Sequence, residues 1–475
     1  MRMPCHRPTA VFEEIDQSLH FVRSRVFRAA SAIIEAISLA ATTLSSPRAE
    51  VKGCGLTAAG SALRETFNQI VATERNRLTG LRIGPSTRVS DHRRSPHVLT
   101  LTPFYPTVSD DASGCFVSEP LGWLAQTGVR NTVFAVRPVY RERPSINSSA
   151  PETRWFRYLA LPGGIGLPIA GTFVFARIME KVRDLHRRQR IDLIHAHAPL
   201  PCGHAAMLLS RELGVPFIVT VHGLDAFLTN QVRGYAGKLC KRVSQEVYRA
   251  ARAIVCISQR VCEEVRMHID GPLSTAVIYN GVDPDIFYPE LDLLPSNVIL
   301  SVGNLIPSKG HELLLRAFGA VEQRHPTLRC EIIGDGPERS RLSELSSQLG
   351  IAKKVNFFGR QTRTQVADAM RRCAVFALPS HYEGLGCVYL ETMAAGKPVI
   401  ACRGQGIEEI IQHGTNGFLI DPGDVQSLGS TLSTLLADPQ LREDIGRHAR
   451  QTILQSLTLA HQAKRLEQIY RGSLA

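Results

Sequence analysis

The chain is predicted to be an α/β protein built from two tandem, doubly wound parallel sheets behind an N-terminal extension. Three observations predict it. Short apolar runs alternate with helical patterns from His97 onward, a proline-rich break over 283–297 divides that alternation into two series, and residues 1–96 show no such alternation. A length of 475 residues is too great for one ordinary core. Continuous apolar runs are expected of parallel strands, whose two faces are both covered by helices.

The first series opens with HVLTLTPFYP at 97–106. A polar loop to Gly114 follows, then a helical pattern from Cys115 to Thr127 that stops at Gly128. NTVFAVRP, WFRYLALP, IDLIHAHAP, PFIVTVHG, AIVCISQR and AVIYNGVD supply further strands, with a loop from Arg141 to Pro151 and a helix running to Arg190. DPDIFYPELDLLPSN, with three prolines and little periodicity, reads as a linker. VILSVGNL, LRCEIIGDGP, VNFFGR, CAVFALPS, KPVIAC and GFLIDP form the second series, and Leu441 to Tyr470 is helical in character. The expected division is 1–96 extension, 97–283 first domain, 284–297 linker, 298–455 second domain and 456–475 terminal helix. Two such domains bring their carboxyl-end crevices face to face, and ligands bind in such crevices.

Composition narrows the function. Hydrophobic residues at 44% and charged residues at 21% are those of a globular protein. The longest apolar candidate, Ala29 to Leu44, is interrupted by Glu35, so no transmembrane helix is expected, and the start lacks a secretory signal order. Eleven cysteines without a C-x-x-C pair read as reduced thiols of a cytoplasmic protein. The formal charge is +12, and residues 1–96 carry fourteen Lys and Arg against eight Asp and Glu. That bias suits an anionic membrane surface, which would make the protein peripheral on the inner face, or an acidic ligand. No nucleic-acid-binding pattern is present. His20 to Leu44 could form an amphipathic helix, but a solvated, poorly ordered extension is the favoured reading. Gly53, Gly55 and Ala58 match a dinucleotide fingerprint only loosely, with no strand before them.

The most informative stretch is LPSHYEGLGCVYLETMAAGKPVIAC, 378–402. A buried run ends at Pro379-Ser380, a turn carries Glu383, Gly384, Leu385 and Gly386, and a helix follows through Ala395. Glu391 is expected about two turns into that helix, where side chains tilt back toward the N-terminus, so both carboxylates can face one cleft. Glycines at a helix start leave backbone N–H groups that favour an anion or polar hydroxyls. Two acids beside such a nest suit a sugar attached to a phosphate.

The Glu383-to-Glu391 spacing within S-H-Y-E-G-L-G, followed by A-A-G-K-P-V, resembles the signature of the retaining glycosyltransferases of family 4, which share the GT-B fold of two Rossmann-like domains facing a central cleft. The resemblance covers roughly Leu99 to Tyr470 and implies transfer of a sugar from a nucleotide-diphosphate-sugar to a glycan, lipid-linked or small-molecule hydroxyl in polysaccharide or glycoconjugate biosynthesis. It also implies that the second domain holds the donor and the first the acceptor, and that the last helix crosses back to the first domain. Site residues carried over are Glu391 for the ribose hydroxyls, Glu383 with the amides of Gly384 to Gly386 for the sugar, and Lys309 in SVGNLIPSKG for the diphosphate. Gly303, Asn304 and Gly334 of GDGP line the nucleotide side. His222 in TVHGLD, next to Asp225, faces the donor sugar or its attacking partner. The catalytic set is thus His222, Lys309 and Glu383. An ammonium 4 Å from a developing charge contributes roughly 4 kcal/mol at an effective dielectric near 20.

Departures are specific. Asn304 stands where the family carries arginine, leaving Arg360 or Arg403 as substitutes, and Gln405 replaces a glycine in the loop of Gly404, Gly406 and Glu409. The loop Tyr105 to Val117 lacks the adjacent glycine pair of many relatives. His195 and His197 alternate on one strand face, but two ligands make a poor metal site. No metal and no cofactor beyond the nucleotide-sugar co-substrate is expected. Two alternatives stay open: a non-catalytic nucleotide-sugar binder, motivated by Asn304 and Gln405, and a nicotinamide-dependent oxidoreductase, which lacks its glycine turn here.

Overall fold

A computed structural model describes residues 95–108, 110–141, 152–160, 164, 166–227, 232–290 and 296–474. The N-terminal extension with its amphipathic stretch, most of the loop 141–151 and linker residues 291–295 lie outside the described residues.

The first sheet contains β1 (His97–Thr102), β2 (Arg130–Pro138), β3 (Glu152–Tyr158), β4 (Leu193–His197), β5 (Phe217–Val221), β6 (Ala253–Cys256) and β7 (Thr275–Val277). Its order is β3-β2-β1-β4-β5-β6-β7, and every pairing is parallel. All six residues of β1 are buried. Their alternation serves two cores: Leu99 and Leu101 meet Val174 and Ile178 of helix α2 (Leu167–Arg188), whereas Val98 meets Leu121 and Leu124 of α1 (Cys115–Gln126). Helices α3 (His204–Leu213), α4 (Gly234–Ala250) and α5 (Gln259–Arg266) complete this half. The strand read from AVIYNGVD is only three residues long, because the chain leaves the sheet to cross to the second half.

The second sheet, in the order β10-β9-β8-β11-β12-β13, is also wholly parallel. Its strands are β8 (Val298–Val302), β9 (Arg329–Ile333), β10 (Val355–Gly359), β11 (Val375–Ala377), β12 (Val399–Cys402) and β13 (Phe418–Ile420). Helices α6 (His311–Val321) and α7 (Arg339–Gln348) share one apolar cluster through Leu314, Phe318 and Leu342. Helices α8 (Arg363–Arg372) and α9 (Cys387–Ala394) join the other cluster through Met370, Leu390 and Met393.

The helical stretch from Leu441 to Tyr470 is two helices, and a further helix precedes it. After α10 (Val425–Ala437), Asp438 caps α11 (Pro439–Ser456), and α12 (Leu459–Leu474) begins past a break at Leu457 and Thr458. At that break Val282 donates to the Leu457 carbonyl at 2.9 Å, and Leu459 donates to the Val282 carbonyl at 3.0 Å. Gly281 is required here, since a Cβ would stand 2.5 Å from the Thr458 carbonyl. Helix α12 then packs on the first half, where Ala463, Leu466 and Tyr470 join Val98, Val133 and Leu124. Chain thus passes between the halves twice, at one place.

Candidate active site

In both sheets the strand order reverses beside the central strand, between β1 and β4 and between β8 and β11, and these switch points open crevices at the carboxyl ends. The glutamate turn lies just past β11. Gly386, at φ +85°, keeps the turn out of the helix, and a side chain there would strike the Tyr389 ring. Helix α9 therefore starts at Cys387, which places Glu391 one turn into it rather than two. Glu383 is 8% exposed. Its amide donates to Gln405 Oε1 at 2.8 Å, its carbonyl accepts from Gly406 at 3.2 Å, and Ser380 Oγ donates to its Oε1 at 3.3 Å. No described group accepts from the amides of Gly384, Leu385 or Gly386. The Leu385 side chain is buried in the core, so of that residue only the backbone can serve a ligand.

Lys309 reaches the same point from the loop after β8. A turn over Pro307–Lys309 ends at Gly310, φ +69°, which packs against the Pro379 carbonyl, and Nζ of Lys309 forms an ion pair with Glu383 Oε1. Gly303 and Gly334 sit at neighbouring strand ends: Gly303 donates to the Ile333 carbonyl at 2.9 Å and Gly334 to the Gly359 carbonyl at 2.8 Å. A Cβ on Gly334 would collide with the Gly303 carbonyl. Asn304 is exposed at this rim.

Glu391, 3% exposed, is anchored through one oxygen: Arg363 Nη1 lies 2.5 Å from Oε1. The rest of that guanidinium crosses to the first half, where Nε and Nη2 bond the two carboxylate oxygens of Glu119 at 2.8 and 2.9 Å. Burial pushes the Glu119 carboxyl up despite this partner. Burial also works against the Arg363 charge, but Glu391 foremost among its neighbours keeps the guanidinium firmly protonated.

From the first half, His222 follows β5 as expected. Its amide donates to Asp225 Oδ1 at 2.8 Å, and its Nε2 lies 3.1 Å from Nδ1 of His197, with the two rings stacked. Burial pushes the His222 imidazole down to about 3 and the Asp225 carboxyl up to about 7. Nδ1 of His222 and Oδ2 of Asp225 have no partner among the described residues. The His222 carbonyl stands against Gly384, where a Cβ would come within 2.7 Å, so the two loops meet across the cleft. His195 bonds Tyr470 and Thr220, His197 bonds His222, and among the described residues no group of three or more metal-ligating side chains gathers.

Two expected substitutes for the missing arginine are engaged elsewhere. Arg360 pairs with Asp110 at 2.8 Å, and Arg403 with Glu408 and Asp421 at 3.7 and 3.6 Å. Glu409 docks the halves, accepting from the amides of Gln259 and Arg260, both at 2.8 Å, at the start of α5. Gln405 brackets Glu383 rather than merely crowding the backbone. Sequence reasoning missed Arg363 and Glu119. The available signal was Thr362 and Gln365, a capping box that starts α8 just past β10 and so puts Arg363 at the cleft.

Residues 289–452 match the family described as glycosyl transferases group 1, and residues 121–286 match glycosyltransferase family 4. An uncharacterized glycosyltransferase of Methanocaldococcus jannaschii is 31% identical over 271 residues, covering 57% of this chain and 72% of its own. The chain belongs to the group 1 glycosyltransferases of family 4. Its GT-B fold is shared with sucrose-phosphate synthase of Thermosynechococcus elongatus, at TM-score 0.67 and 22% identity over 80% of this chain and 99% of that one. It is also shared with Anabaena HepE, solved with UDP-glucose, at TM-score 0.61 and 21% identity over 79% and 99%. Membership of this glycosyltransferase family displaces the oxidoreductase alternative. Among the described residues no helix is long and apolar enough to cross a membrane.

Proposed function

We propose that this glycosyltransferase moves a hexosyl or N-acetylhexosaminyl unit from a nucleoside-diphosphate sugar to a hydroxyl of a glycan, a lipid-linked sugar or a small molecule, with retention at the anomeric carbon. The observation that carries the reading is the meeting of Lys309 and Glu383 at the second switch point, beside unpaired amides at the start of α9. In this reading the diphosphate takes the Lys309 ammonium from Glu383, and the helix dipole adds to the positive potential at the leaving group. Glu391 keeps Oε2 free of described partners and offers it to ribose hydroxyls. His222 and Glu383 bound the sugar from opposite halves. The acceptor hydroxyl attacks on the face that the diphosphate vacates, and its proton passes to the departing phosphate oxygen. Charge neutralisation is thus assigned to side chains and backbone rather than to a divalent ion. That HepE was solved with UDP-glucose supports a nucleotide-sugar donor.

A thermal-shift panel of UDP-, GDP- and ADP-sugars identifies the donor, because bound ligand raises apparent stability by mass action. Product NMR then reads the anomer: inversion overturns the retention assignment. Asn304, exposed and uncharged where the family signature implies an arginine, favours the second reading, a nucleotide-sugar binder without turnover. Donor binding with neither hydrolysis nor transfer in any acceptor screen would establish it.

A further inference from the structure

Arg363, the first residue of α8, stands where three parts of the molecule meet. Its guanidinium contacts Glu391 of the second half and makes the two-point fork with Glu119 of α1 in the first. Its face lies 4.7 Å from the ring of Phe287, a fully buried residue of the segment joining the halves. Its amide donates to the carboxylate of Asp111 at 3.1 and 3.3 Å. One cation therefore balances an acid from each half while resting on the connection between them. Without it, the half-buried Glu119 and the buried Glu391 would face each other as two carboxylates, and one would turn away or take up a proton.

We infer that Arg363 is a positioning residue for the nucleotide, holding Glu391 by one oxygen so that the other faces the cleft, and that through Glu119 it makes nucleotide affinity depend on docking of the first half. The inference rests on the reading of Glu391 as the ribose acceptor. It gives Glu119 a role in binding a ligand seated on the other domain. Nothing in a purely structural ion pair requires that.

The experiment is calorimetric titration of the full chain with UDP, GDP and ADP, followed by the preferred nucleotide against Glu119→Gln, Arg363→Met, Arg363→Lys and the double variant Glu119→Gln/Arg363→Met. The expected losses of affinity are about 3- to 10-fold for Glu119→Gln and at least ~10-fold for Arg363→Met, with the double variant within about twofold of Arg363→Met because the two residues act as one unit. Arg363→Lys should recover part of the loss, since a lysine keeps the charge but lacks the planar fork that bonds both acids. Glutamine is isosteric with glutamate, so Glu119→Gln keeps the test open if Arg363→Met fails to fold. Wild-type affinity in Glu119→Gln, or losses that simply add, overturns the inference alone. A wild-type chain that binds none of the three nucleotides overturns the functional reading and this inference together.

Discussion

The hydroxyl of Tyr470, near the end of the last helix, lies 2.8 Å from Nδ1 of His195 on β4 of the first sheet, and both groups are buried. The other His195 nitrogen bonds Thr220 at 2.7 Å, so the imidazole is fully satisfied only while α12 is docked. Tyr470→Phe keeps the ring packing and orphans one imidazole nitrogen. It should cost about 1–3 kcal/mol, seen as a lower midpoint in urea with an unchanged slope. An unaltered midpoint would show that the contact contributes nothing.

Lys309 and Glu391 are expected to fail differently. Lys309→Met should lower turnover at least tenfold, about 1.4 kcal/mol, while nucleotide affinity falls much less, because the charge on the leaving group grows during reaction. Glu391→Ala should weaken nucleotide binding first. Wild-type kinetics in both, once a donor and acceptor pair is known, would refute the site.

Gly384→Ala would set a methyl 2.7 Å from the His222 carbonyl and 3.2 Å from Gly223 Cα. Since those atoms belong to the other half, the substitution should push the loops apart and cut turnover about tenfold. Gly122→Ala, in α1 with open space around it, is the control and should be neutral or stabilising by up to ~1 kcal/mol. Equal activity in the two variants would remove the cross-cleft contact from the mechanism.

Acid should destabilise the fold. Burial holds His195 and His222 down to about 3, and His204 and His311 to about 4. Each is neutral when folded and takes a proton when unfolded below its ordinary value near 6.5. Their contribution is therefore present above about 6.5 and is lost as the pH falls toward 3–4, at up to ~1.4 kcal/mol per pH unit each. Asp225, raised to about 7 by burial, works in the opposite sense but is outnumbered. Thermal midpoints at pH 7, 6 and 5 should fall in that order; a level or rising series would contradict the assignment.

The membrane-surface reading of the basic segment before residue 96, set against that of a solvated extension, has a direct test. Deleting residues 1–95 should reduce sedimentation with vesicles containing phosphatidylserine, and undiminished sedimentation would deny it that role.

Strands were legible because a parallel strand buried on both faces needs an unbroken apolar run, as in ILSV of β8 and VIAC of β12. Glu383, Glu391 and Lys309 were legible because glycines and a strand-to-helix step surround them. Helix α9 began later than expected, since nothing local to the sequence says that Gly386 takes a left-handed turn. Arg363 and Glu119 stand 244 residues apart, and in sequence each is an ordinary surface-type charge. Their partnership exists only once both sheets are assembled. The same holds for Glu409, whose partners Gln259 and Arg260 belong to another half.

The outgoing and returning crossings, laced together at Val282, Leu457 and Leu459, leave the two lobes a single common axle. A swing of one lobe against the other would turn about those peptide units and would have to part the Arg363–Glu119 fork and the contacts of Glu409 with Gln259 and Arg260.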